Sequence, residues 1–287
     1  MIEATRLRRM PGAVPIAIEK GKKYRLIIIL VLLHIPLGVF IYNQNTLGVI
    51  HQIVVFSAAF YCAVQKKIKL ERVAIIVAYI VGCDVLWRMA GVSIYWEIGK
   101  YGSAFVFLLA LSRRQIHQLP ILPVLYFAAL LPSCFITLND QDAERARNML
   151  SSGMSGPFLL AVSCIFFANV EIPKAAIRRI MIALILPLLS VAFVTLFFTV
   201  SAEQIQFTAE SNLATSGGFG PNQVSAMLGA GAFAALLTNQ DLAKDLRALV
   251  SNLRAHGVLF YRDSAAKEEA RAASERQQKP ARNPRPR

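Results

Sequence analysis

Apolar residues in this chain gather into long blocks divided by short polar stretches, at about 26–42, 47–64, 73–90, 98–111, 119–138, 157–170, 177–200 and 222–238. Blocks of that length are the signature of membrane spans. The pattern predicts an all-α fold, a polytopic transmembrane helix bundle of about eight spans. The fourth and sixth blocks are short for a bilayer, and the fourth is expected either to tilt little or to begin inside the outer headgroup region. Pro36 is expected to kink the first span, which also carries His34, an expensive group at that depth. The residues from Asn139 to Ser155 read as a polar segment between spans.

Composition agrees with the blocks. Of 287 residues 55% are hydrophobic and only 17% charged, which is too apolar for an ordinary soluble domain. The net charge of +14 raises nucleic acid as a partner, but no basic surface interleaved with aromatic residues follows from the sequence. Nucleic acid is not an expected partner; membrane lipid is. Cys62, Cys83, Cys134 and Cys164 fall in or beside apolar blocks without CxxC spacing, so no zinc site or disulfide framework is indicated.

The cations also set an orientation. Every Lys and Arg except Arg88, Lys100, Arg145 and Arg147 falls on one side of an eight-span arrangement, in alternate loops and both termini. By the positive-inside rule that side is the cytoplasm. Three regions result: a basic cytoplasmic segment over 1–25, expected to be poorly ordered; a transmembrane domain over 26–238; and a basic cytoplasmic tail over 239–287. In the tail Asp241 to Arg262 is expected to be helical, and the Ala, Glu, Arg, Gln and Pro run beyond it disordered.

Two features carry candidate chemistry. Asp84 and Arg88, four apart, share a helical face with the acid N-terminal to the base, and are expected to form a buried ion pair. Each charge near the bilayer centre costs about 2.5–3.5 kcal/mol, so the pair either neutralises itself or faces a polar cavity. Trp87, Trp96, Glu97 and Lys100 crowd the same end. The second feature is the turn before the last block, with Gly217, Gly218, Gly220 and Pro221 followed by Asn222 and Gln223. Pro221 suits the first turn of a helix. That helix N-terminus would face a polar loop, where it can hold an anion such as a diphosphate. Equally, the glycines simply shape the turn.

No HExxH, GxSxG, Walker A or SxxK pattern occurs, and no metal site or cofactor is implied. What remains is a rim of Arg88, Lys100, Arg145 and Arg147, fit to grip the phosphates of a lipid-linked substrate. If glycosyl transfer occurs there, the cations stabilise charge developing on a diphosphate leaving group. The catalytic residues are unknown. Glu97 and Glu210 are candidate bases only by elimination.

Gly82-Cys-Asp-Val-Leu-Trp-Arg-Met89, Trp96-Glu-Ile-Gly-Lys-Tyr101, Arg147-Asn-Met-Leu-Ser-Ser-Gly-Met-Ser-Gly-Pro157 and Gly218-Phe-Gly-Pro-Asn-Gln-Val-Ser-Ala226 together resemble the bacterial O-antigen ligase/polymerase superfamily. The resemblance covers roughly residues 20 to 238, and the Gly-Pro-Asn-Gln turn is its most specific piece. It implies a multi-pass protein of the bacterial inner membrane, in cell-envelope or lipopolysaccharide biosynthesis. Such a glycosyltransferase moves a glycan from an undecaprenyl diphosphate carrier to an acceptor glycolipid or glycan on the periplasmic side. Arg88, Arg147 and Asn222 would then lie near the donor, with Lys100, Arg145 and Gln223 as further substrate-binding candidates. Members of that superfamily run to ten or more spans with a large periplasmic loop beyond the region matched. The resemblance therefore implies that this chain carries the N-terminal portion only, and whether it is an enzyme stays open. The alternatives are a non-catalytic membrane scaffold, a transporter-like component and an inactive truncated fragment.

Overall fold

A computed structural model of the chain describes residues 15–92, 95–201, 213–239 and 250–251. Among the described residues there are eight α-helices of a turn or more and one short 3-10 turn, with no strand. They are α1 (Pro15–Asn43), α2 (Asn45–Val64), α3 (Leu70–Met89), α4 (Ile98–Leu111), α5 (Ile121–Asp140), α6 (Ala143–Asn169), α7 (Lys174–Ser201) and α8 (Pro221–Thr238), with the 3-10 turn at Ala214–Ser216 before α8. The chain divides into two units, Met1–Thr238 and Asn239–Arg287. In the second, only Val250 and Ser251 are described as helical; the remaining expectations for the tail, and Glu210, lie outside the described residues.

Among the described residues four helices are long and apolar enough to cross a membrane: α2, α5, α6 and α7. They mark the chain as a membrane protein. Of α1 the described apolar stretch is Ile27–Asn43, and the other three fall short for identifiable reasons. At 14 residues, α4 reaches only about 21 Å at 1.5 Å per residue, against a hydrocarbon core of about 30 Å. In α3 length is adequate, but Glu71, Arg72, Asp84 and Arg88 charge it. In α8 the amides of Asn222 and Gln223 offset the apolar residues.

Two boundaries differ from the sequence reading. The first helix begins at Pro15 rather than near Leu26, because proline suits the first helical position and the polar residues behind it are helix formers. The polar segment 139–155 is mostly helical: α5 ends at Asp140 and α6 begins at Ala143. Asp142 caps a new helix by accepting the amide of Arg145 at 2.9 Å, Glu144 sits in the first turn, and α6 runs unbroken past Pro157 to Asn169. An acid at the cap and another in the first turn both favour a helix start there. Pro36 likewise lies inside continuous helix.

The core is built around α3, which packs against α7, α4, α2, α1 and α8. Where α3 meets α7, Gly82 lets the backbones close, since a Cβ there would come within 2.7 Å of the Leu184 carbonyl oxygen. By contrast, among the described helices the backbone of α5 packs against α6 alone, and none of its residues is fully buried.

A polar thread ties α1, α2 and α3 together. Trp87 Nε1 donates to His51 Nδ1 at 3.1 Å, His51 Nε2 lies 3.2 Å from the Tyr79 hydroxyl, and that hydroxyl lies 3.2 Å from His34 Nε2. His34 Nδ1 is 2.7 Å from the Leu30 carbonyl. His34 thus bonds to a neighbouring helix, and Ser190 of α7 donates to its backbone carbonyl.

Candidate functional site

The last two turns of α3 carry Asp84 and Arg88, whose Oδ2 and Nε atoms stand 3.1 Å apart. The N–H of that Nε does not point along a hydrogen bond, so it has no hydrogen-bond partner and the contact is one of charge alone. The guanidinium fork is spent elsewhere. Nη2 and Nη1 reach Oε2 and Oε1 of Glu97 at 3.1 and 3.4 Å, the two-pronged arrangement that suits arginine and carboxylate. Glu97 occupies the cap position of α4. Its Oε2 also accepts Lys100 Nζ at 2.8 Å and Ser155 Oγ, from α6, at 2.8 Å. The Trp96 ring covers the guanidinium, 5.0 Å from ring centre to Cζ, a favourable cation–π placement.

The cluster is deeply buried and balanced. Glu97 is 1% exposed and Arg88 7%, while the Lys100 side chain keeps 35% of its surface open. Two cations face two carboxylates, which is how a low-dielectric interior tolerates them. Burial pushes the Glu97 carboxyl up, but hydrogen bonds from Lys100, Arg88 and Ser155 outweigh it and hold the acid below its ordinary range. A carboxylate so engaged is a poor proton acceptor, and Glu97 is thereby an anchor of the cluster rather than a base. Its closeness to α3 depends on Gly99, because a Cβ at that position would overlap the Asp84 carboxylate.

The glycine turn meets this cluster from the α8 side. Gly217 and Gly218 have φ of 68° and 76°, the left-handed region that glycine adopts without strain. Phe219 between Gly218 and Gly220 lies against Trp96, ring centres 5.8 Å apart. The Tyr42 hydroxyl donates to the Gly217 carbonyl at 3.4 Å, and Pro221 is the first residue of α8. The amides of Gln223 and Val224 are already taken by the Gly220 carbonyl, at 2.9 and 3.1 Å, and Pro221 has none. Three of the first four positions of α8 therefore offer an anion nothing.

One cavity of about 370 Å³ opens among α3, α4, α6 and α8. Its polar lining is Asp84, Arg88, Lys100 and Gln223, and its apolar wall includes Val85, Leu159 and Met227. Of the six substrate-binding candidates, Arg88, Lys100 and Gln223 come together here. Arg147 lines a separate cavity of about 590 Å³ with Tyr95, Trp96 and Ser151. Arg145 and Asn222 are exposed and line neither. On α8 the two amides take bearings about 100° apart, and only that of Gln223 faces the cavity.

Sequence reasoning missed Ser155. A signal was present: Ser151 and Ser155 are four residues apart, the spacing of one helical turn. With the stretch read only as a polar segment between spans, that spacing went unused. Among the described residues no three His, Cys, Asp or Glu side chains cluster as a metal would require, and the four cysteines are free.

The four segments on which the family resemblance rests thus converge. Asp84 and Arg88, Gly99 and Lys100, Gly156, and Gln223 and Ala226 all line the same cavity. No family model, curated protein or solved structure matches this chain.

Proposed function

We propose that this chain is an integral membrane protein of the O-antigen ligase type, which binds a polyprenyl-diphosphate-linked glycan at the Arg88 cavity. The observation that supports this reading is the convergence of four distant segments on one space whose lining is both charged and apolar. A lipid diphosphate needs that combination. Lys100 and the Gln223 amide would meet phosphate oxygens, and the wall with Val85, Leu159 and Met227 would take the first units of the polyprenyl tail. In transfer, Arg88 and Lys100 would stabilise charge gathering on the departing diphosphate. The glycan would pass to an acceptor on the periplasmic side of the bacterial inner membrane.

The test is binding of farnesyl diphosphate to the full chain in nanodiscs, with farnesol as control, in the wild type and in Lys100→Gln and Gln223→Ala. The expected result is diphosphate-dependent binding, weakened at least tenfold by Lys100→Gln. Equal binding of diphosphate and alcohol, or affinity untouched by both variants, would remove the reading.

A second reading has its own support. The two cations of the cavity are already matched by Asp84 and Glu97, which leaves no net positive charge to attract a diphosphate. On that reading the cluster is a clamp in a non-catalytic scaffold, no farnesyl diphosphate binds, and its variants change stability alone.

A further inference from the structure

The other end of α3 holds a second cationic cavity, of about 310 Å³. It lies about 27 Å from Arg88 along the helix, at 1.5 Å per residue. Five cations line it, Lys66, Lys67, Lys69, Arg113 and Arg114, with two aliphatic side chains and no carboxylate. A larger basin beside it shares Lys69 and Arg114 but adds Glu71 and Glu171, so an anion is directed to the smaller one.

This is a built loop rather than a spray of lysines. Arg113, in the connection after α4, reaches back to four carbonyls. Nη1 donates to Cys62 and Ala63 at 3.1 and 3.2 Å, and Nη2 to Lys66 and Ile68 at 3.1 and 2.7 Å. It therefore covers the negative end of α2 and fixes the conformation of the α2–α3 connection. The positive end of α3 opens into the same connection, where Lys69 provides no side-chain cap. Lys66, Lys67, Lys69 and Arg114 form no ion pair among the described residues. Four unmatched cations around a concave space, with the carbonyls beneath them already satisfied, make a seat for a compact polyanion.

We propose that this cavity binds a phosphate group, either the headgroup of an acidic membrane lipid or a soluble phosphate. The proposal is independent of the Arg88 cavity. The full chain would be purified as wild type, as a cavity triple (K66Q/K67Q/K69Q) and as a control triple (R72Q/K174Q/R178Q). The control removes the same charge from the same end of the bundle but outside the cavity, because the Arg179–Glu71 ion pair brings the start of α7 beside that of α3. Lipid retention would be read by native mass spectrometry after exchange into phosphatidylglycerol or phosphatidylcholine. Soluble phosphate would be read by the shift in melting temperature with inorganic diphosphate. A charge-assisted hydrogen bond to a phosphate in a formed site is worth roughly a tenfold factor or more. The cavity triple should therefore lose phosphatidylglycerol retention or the diphosphate shift by at least tenfold, while the control triple loses less than threefold. Loss confined to the lipid arm identifies a headgroup, and loss confined to the diphosphate arm a soluble ligand. Equal loss in the two triples, or no loss in either, overturns the site. R114Q alone, with its smaller charge change, should give the same ranking.

Discussion

Removing the Glu97 charge tests whether the cluster at the Arg88 end is one closed unit. In Glu97→Gln the guanidinium loses its fork partner and Lys100 its nearest carboxylate, while Asp84 alone remains against two cations. Breaking a buried ion pair from one side costs about 3–5 kcal/mol, and Arg88→Gln should cost a similar amount. Lys100→Gln should differ. Its side chain is 35% exposed, so solvent screens the contact and a loss of no more than about 1 kcal/mol is expected. Reversible unfolding in mixed detergent micelles measures these values, with Trp96 as a local fluorescence probe because its ring sits over Arg88. The decisive number is the coupling in the cycle of Arg88→Gln, Glu97→Gln and the double variant. Groups in one network couple by about 0.5–3 kcal/mol, whereas ordinary hydrogen bonds between membrane helices average about 0.6 kcal/mol. A coupling of about 2 kcal/mol is expected here. A value at or below about 0.6 kcal/mol would show that the pair is incidental and that the burial argument is wrong.

Three further outcomes follow from particular contacts. Gly99→Ala should destabilise by about 1–3 kcal/mol through overpacking against Asp84, whereas Gly153→Ala, with nothing within 4 Å of the added methyl, should be neutral or slightly stabilising by the same unfolding assay. Glu97 has a depressed pKa, so its contribution is complete above the ordinary value of 4.5 and fades as pH falls through the lower folded value. The gap in stability between wild type and Glu97→Gln should therefore be constant above about pH 5 and shrink below 4.5 in a pH series of melting curves. Arg113→Gln should destabilise by about 2–3 kcal/mol, because four carbonyls lose a charged donor, while Arg114→Gln leaves the melting temperature within about 1 °C.

Apolar blocks were enough to place most helices, and for α4 even the ends. They carry that information because lipid demands unbroken apolar length. They said little about the first half of α6, where Glu144, Arg145, Arg147, Asn148 and the serines interrupt the apolar residues yet the chain is helical, since a helix can carry polar residues wherever it packs or meets water. Within the candidate site, Asp84 and Arg88 were legible because four-residue spacing is local. The central role of Glu97 was not, because it arises from contacts with α3 and α6 that sequence distance conceals. Gln223 lines the cavity and Asn222 does not, a difference of one residue that depends on how α8 is rotated against α3.

Direction is built into the thread of side chains joining α1, α2 and α3. An indole can only give its proton and a peptide oxygen can only receive one, so the groups at the two ends dictate every link between them. His51 carries hydrogen on Nε2, Tyr79 passes its own on to His34, and His34 carries hydrogen on Nδ1. No link can turn round unless Trp87 or the Leu30 carbonyl lets go. The arrangement acts as a one-way strap across three helices, and an extra proton on His51 would have to break it at Trp87.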